Sequence, residues 1–144
     1  MTEEELKEQV KNIKFYFFTY RNGPVADSLR AAGNPHKVIL GLMVPQLASI
    51  ARQFPQSMQL AERLWSETEY REARLLACYL FPPEEVTREQ ALRLWNETID
   101  SEEADMLAFR LIRRLPFAAE ILEATGEDTP LERYRRKTLT RNLE

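Results

Sequence analysis

The chain has 144 residues, 44% of them hydrophobic and 30% charged, with a formal net charge of −3. That length suits one domain with a core large enough to need no covalent staple, and the longest apolar run, Leu75 to Phe81, is far too short to span a membrane. A single cysteine, Cys78, excludes an intramolecular disulfide and points to a reducing compartment; a single histidine, His36, has no metal-binding partner nearby, so no metal and no cofactor is called for.

Thr2-Glu-Glu-Glu5 forms a capping box and opens a helix to about Tyr20. This acidic start lacks the basic cluster and apolar stretch of a signal peptide, and the expected location is cytoplasmic. The aromatic residues Phe15, Tyr16, Phe17, Phe18 and Tyr20 are too dense for one helix face, so some should pack on neighbouring helices. Asn22-Gly-Pro24 ends that helix and starts a short one, Ala26 to Ala32, which stops at Gly33-Asn-Pro35. His36 follows in a loop and is not expected to be catalytic. Val38 to Pro45 is an apolar connector bent at Gly41, and Pro45 opens a helix to about Phe54.

The next segment occurs twice. Ala61-Glu-Arg-Leu-Trp-Ser-Glu-Thr68 is matched by Ala91-Leu-Arg-Leu-Trp-Asn-Glu-Thr98 at a shift of 30, and Glu72-Ala-Arg-Leu-Leu-Ala77 by Glu103-Ala-Asp-Met-Leu-Ala108 at a shift of 31. A period of about 30 residues carrying two helical patterns is the signature of a helical repeat array, in which stacked units share one core. Trp65 and Trp95 then become equivalent buried pillars. The second helix of the first copy, about Tyr70 to Phe81, is apolar nearly all round and must be covered on both sides, with Cys78 as a small core residue. Pro82-Pro83 stops it.

Thr87, Asp100 and Thr129 each sit three residues before a Glu or Gln and cap the later helices. The helix after Asp100 is expected to reach Leu115. A short helix runs from Pro116 to Gly126, and a last one starts at Thr129-Pro130. The sum is about nine helices, no strand, and one helical-repeat domain over residues 1–142. Leu143-Glu144 is set aside, because that dipeptide is a common cloning remnant.

Charge is segregated. Arg133, Arg135, Arg136, Lys137 and Arg141 stand together with no acid between them, leaving 15 basic and 23 acidic residues elsewhere, a net of −8. On a helical wheel of Ala104 to Leu115, Asp105 falls at the margin of the apolar stripe, beside Ala108, Phe109 and Ile112. A carboxylate there is expected to be partly desolvated and put to use, or to be an ordinary first-turn aspartate favoured by the helix dipole. The repeat places Asp105 where the preceding unit has Arg74, so the two should line one groove as neighbours.

Four segments carry a family resemblance: Gly41-Leu-Met-Val-Pro45-Gln-Leu47, the run Leu60 to Phe81, Ser101-Glu-Glu-Ala-Asp105, and Tyr134-Arg-Arg-Lys137. Together, in that order, they resemble the AlkD-type DNA alkylation repair family of helical-repeat DNA glycosylases. The resemblance implies a right-handed α-α superhelix of HEAT/armadillo-like repeats whose concave face takes double-stranded DNA. It also implies excision of cationic N3- or N7-alkylated purines, with Asp105 as catalytic carboxylate. Arg74, Arg133, Arg135, Arg136, Lys137 and Arg141 are the candidate nucleic-acid contacts. Ser101 stands where catalytic members carry an aromatic residue, and Ala48 where the family usually has an arginine. Two readings follow: a DNA alkylation repair protein, or a non-catalytic repeat scaffold that binds a protein partner or itself as a homo-oligomer.

Overall fold

A computed structural model describes residues 1–144. The protein is all-α: α1 (Glu3–Thr19), α2 (Gly23–Ala31), α3 (Val44–Ala51), α4 (Met58–Trp65), α5 (Arg71–Leu80), α6 (Arg88–Glu97), α7 (Ser101–Arg110), α8 (Ala118–Glu123) and α9 (Pro130–Leu143). Single 3-10 turns occupy Pro83–Glu85 and Ile112–Arg114. The only sheet-like pairing is one isolated bridge between Val38 and Tyr70. The chain divides into two compact units, Met1–Phe81 and Pro82–Glu144.

Side-chain caps set most helix starts. Thr2 and Thr129 close full capping boxes with Glu5 and Glu132. Thr87 and Asp100 accept from the backbone N–H groups of Gln90 and Glu103. Each bond satisfies a donor that the helix leaves without an internal partner. Several boundaries differ from expectation, among them α3, which stops at Ala51 rather than Phe54, and α8, which covers Ala118–Glu123 rather than Pro116 to Gly126. Asn22 accepts from the Val25 N–H, so α2 starts at Gly23 rather than Ala26. α7 ends at Arg110 rather than Leu115: Leu111 leaves helical geometry (φ −127°, ψ −64°), and a 3-10 turn carries Ile112–Arg114.

In the first unit α5 is the central element, buried from Arg71 to Cys78 and again at Leu80, and packed on α3 and α4. Its burial forces its polar groups to find partners. Glu72, fully buried, accepts from the backbone N–H groups of Leu40 (3.0 Å) and Gly41 (3.1 Å). It also takes the Arg71 guanidinium at 2.6 Å, and that guanidinium donates to the Leu42 carbonyl. Gly41 has φ +86°, and a Cβ there would run into the Asn22 carbonyl oxygen, so this bend admits only glycine. His36 is buried in the preceding turn, its ring nitrogen Nδ1 2.6 Å from Asn34 Oδ1.

The α1 aromatics divide. Phe17 is fully buried and Tyr16 meets Phe54 edge-on, as their density suggested. Phe15, Phe18 and Tyr20 stay exposed, so packing accounts for only part of the cluster.

In the second unit α7 packs chiefly on α9, and α8 contacts both α6 and α9. Trp65 and Trp95 are both buried, as the repeat requires. The repeat also aligns Glu72 with Glu103, and both are fully buried; Glu103 accepts from the Ile99 N–H at 3.0 Å. The pairing of helices is not copied, however. α4 lies directly on α5, whereas α7 rests mainly on α9.

Candidate functional site

Asp105 sits in the first half of α7, on the side turned to α9, and is exposed. Tyr134 and Thr138 are four residues apart on α9 and so present their hydroxyls from one face. The Tyr134 hydroxyl donates to Asp105 Oδ2 at 2.7 Å, and Thr138 Oγ1 donates to Oδ1 at 2.7 Å. Each carboxylate oxygen thus takes one short, charge-assisted bond, which holds the group in one orientation. Its remaining lone pairs are left for solvent or a ligand. Thr138 is itself buried, and Asn142 Nδ2 donates to its carbonyl, so the clamp stands on a packed part of α9.

Burial and the Asp105 carboxylate push the Tyr134 phenol up to about 12. Tyr70 rises to about 12 through burial and the charges of Glu72 and Glu67. The folded-state value for Tyr134 lies above the ordinary phenol value of about 10. The bond to Asp105 therefore contributes fully below about pH 10 and is lost as pH rises through about 12. Two of the five tyrosines should ionise near pH 12 in a titration followed by phenolate absorbance, and Tyr134→Phe should remove one of them. Ionisation of Tyr134 at an ordinary phenol pH would mean that Asp105 does not hold its hydroxyl.

One helical turn beyond Asp105, Phe109 is exposed, with the Arg113 guanidinium 3.9 Å from its ring centroid and Arg110 at 5.2 Å. On α7 itself the aromatic residue thus stands four positions after Asp105, not at Ser101 four positions before, and the ring in contact with the carboxylate is Tyr134 of α9.

The candidate cations part company. Arg74 is 1% exposed; its guanidinium lies 3.6 Å over the Trp65 ring and donates to the Trp65 carbonyl at 2.9 Å. It is a core residue, and this corrects the expectation that it lines a groove. Arg135 is 8% exposed and donates to the Thr98 hydroxyl (2.8 Å), the Thr98 carbonyl (2.7 Å) and the Asn96 carbonyl (3.3 Å). These groups end α6, where helix carbonyls lack internal partners; burial holds the Arg135 pKa below the usual arginine range. Arg136 closes the end of α8 in the same way, through the Leu122 and Thr125 carbonyls, and pairs with Glu127 at 3.0 Å. Of the five clustered cations, Arg133, Lys137 and Arg141 are exposed, spaced by four residues. They form one stripe along α9, beside the edge that carries Tyr134 and Thr138.

Sequence reasoning missed Thr138 and the role of Tyr134. The signal was present as an i, i+4 hydroxyl pair within the basic stretch, but it becomes legible only once α9 is known to lie on α7.

These features define an all-α protein whose second unit presents a fixed carboxylate next to a basic helix. The chain matches the sequence profile of the DNA alkylation repair enzyme family over residues 17–128, and it belongs to that family. The match includes Asp105 and stops before α9. No curated protein and no solved structure matched the chain.

Proposed function

We propose that the second unit binds double-stranded DNA through α9 and that Asp105 promotes loss of cationic N3- or N7-alkylated purines. The observation that carries this reading is the carboxylate itself, exposed, within the family-matched residues and oriented by two hydroxyls. An alkylated purine already bears a positive charge. When its glycosidic bond breaks, the electron pair leaves with the base and neutralises it, and the positive charge moves to the sugar. Water then adds to the sugar carbon and releases a proton. A carboxylate that is already in place stabilises the sugar cation without reorganising during the step. Tyr134 and Thr138 keep Asp105 in that place, and Phe109, with the Arg113 guanidinium over its ring, stands one turn away. Arg133, Lys137 and Arg141 meet the phosphates, while Arg135 and Arg136 hold the ends of α6 and α8. A cytoplasmic location, in which Cys78 stays a thiol, belongs to the same proposal.

The experiment is duplex binding as a function of salt. Neutralising Arg133, Lys137 and Arg141 with glutamine should flatten the slope of log affinity against log salt by about 0.9 for each phosphate that is no longer neutralised. Arg135→Gln should instead lower the melting temperature, because it leaves the end of α6 uncapped. If the wild-type protein shows no salt-dependent duplex binding, the nucleic-acid reading fails. The scaffold reading, which the acid excess outside α9 favours, then takes its place.

A further inference from the structure

We propose that the first unit carries a second nucleic-acid site, for an unpaired strand, along the outer face of α1. Residues 11–22 hold Lys11, Lys14 and Arg21 with no carboxylate, in a chain whose net charge is −3. Within this stretch Phe15 is 69% exposed and Phe18 is 55% exposed. Three residues apart, the two rings are neighbours on one face, with Lys11 a turn before Phe15 and Arg21 close to a turn after Phe18. Large rings left this exposed at adjacent positions mark a binding surface more than they serve the fold.

The chemistry of the surface selects the partner. The Arg21 guanidinium lies 3.8 Å from the Phe18 ring centroid, tied there by a bond to the Phe18 carbonyl at 2.8 Å. A guanidinium laid flat on a ring offers its outer plane to a base and its edge to a phosphate. Beside Phe15 is a cavity of about 290 Å³ lined by Asn12, Phe15, Tyr16, Gln53 and Phe54. Aromatic walls with two side-chain amides are what an unstacked base needs: a π-face to lie on, and groups that donate and accept along its edge. Tyr16 donates to Gln53 Oε1 at 2.6 Å, which fixes that amide and directs its nitrogen to donate elsewhere. Lys14 is committed to Glu67 at 2.6 Å, so Lys11 and Arg21 are the phosphate contacts. Lys11 to the end of α1 at Thr19 spans about 12 Å of helix, with Arg21 just beyond it, enough for a few nucleotides. Glu4 and Glu8, nearer the N-terminus of the same helix, mark where the site stops. A duplex has no exposed base faces to stack here, so the ligand is an unpaired strand.

The test is anisotropy of a short labelled oligothymidylate, which cannot pair with itself. Wild type should bind with an affinity that falls with salt. Phe15→Ala and Phe18→Ala should each weaken binding about tenfold, with unchanged circular dichroism because both rings face water. The triple glutamine variant of α9 and Asp105→Asn should retain strand binding, whether or not the duplex reading is correct. The proposal is overturned if wild type does not bind the oligonucleotide, or if the two phenylalanine variants bind like wild type. Loss of strand binding in the α9 variant alone would also overturn it, since the strand would then sit on the second unit. A phenylalanine-dependent dimer in sedimentation, without strand binding, would assign the face to a second copy of the chain and overturn it too.

Discussion

Asp105→Asn should lower base release from alkylated duplex DNA by about a hundredfold or more, the usual scale for removing one preorganised electrostatic group. The amide keeps the shape of the carboxylate and loses its charge. The fold should survive, because Asp105 is exposed and its partners are the neutral hydroxyls of Tyr134 and Thr138. No buried cation is stranded, and the stability loss should stay below about 2 kcal/mol, the worth of a charge-assisted bond or less. Tyr134→Phe and Thr138→Val should lower turnover more than duplex affinity, since they loosen the carboxylate without touching the basic stripe; Thr138→Ser should restore it. Base release and melting on these variants separate the cases. Lost release with a near-normal melt supports catalysis by Asp105. Unchanged release removes the catalytic role, and a melt lowered by several kcal/mol would make Asp105 a structural residue.

Trp65→Ala and Trp95→Ala should each cost about 3–5 kcal/mol in urea denaturation, the range for emptying a large buried aromatic site. Both indoles are buried, but they have different partners. Trp65 lies under the buried guanidinium of Arg74, so its removal also takes away that cation–ring contact and should fall at the upper end. Trp95 donates through Nε1 to Thr125 Oγ1 at 3.0 Å, and that hydroxyl donates to the Ile121 carbonyl at 2.8 Å. Trp95→Phe therefore loses one hydrogen bond and some volume, and should cost clearly less than Trp95→Ala. A loss below about 1 kcal/mol for either alanine variant, the level of an ordinary surface change, would end the view of the two residues as matched pillars.

The helices were legible because their starts are written locally. Thr2, Thr87, Asp100 and Thr129 each cap within three residues, and no distant partner is needed to read them. The early end of α7 was not legible, because Leu111, Ile112 and Leu115 keep an apolar pattern that a 3-10 turn buries as well as an α-helix does. The candidate site was half legible. Asp105 stood out through the repeat, but equal repeat position did not mean equal environment. α5 is enclosed by α3 and α4, which put Arg74 in the core, whereas α7 leaves Asp105 at the surface. Charge counting likewise cannot tell Arg133 from Arg135. The difference is made by the end of α6, 37 residues from Arg135 in sequence at Thr98.

The connector between α2 and α3 contains no helix, yet it is tied in from several directions. Asn22 N–H donates to the Leu40 carbonyl, Val38 N–H to the Glu69 carbonyl, and Arg71 N–H to the Val38 carbonyl. Glu72 takes the amides of Leu40 and Gly41, and Arg71 reaches the carbonyl of Leu42. An irregular path is usually where a chain tolerates inserted residues, but here the stretch from Val38 to Leu42 keeps register with α5. The segment behaves as a strut. Lengthening it by even one residue would pull Gly41 off the Glu72 carboxylate and cost that buried group a backbone hydrogen bond, so tolerance to insertion should fall at this connector and return in the exposed turn at Glu127-Asp128.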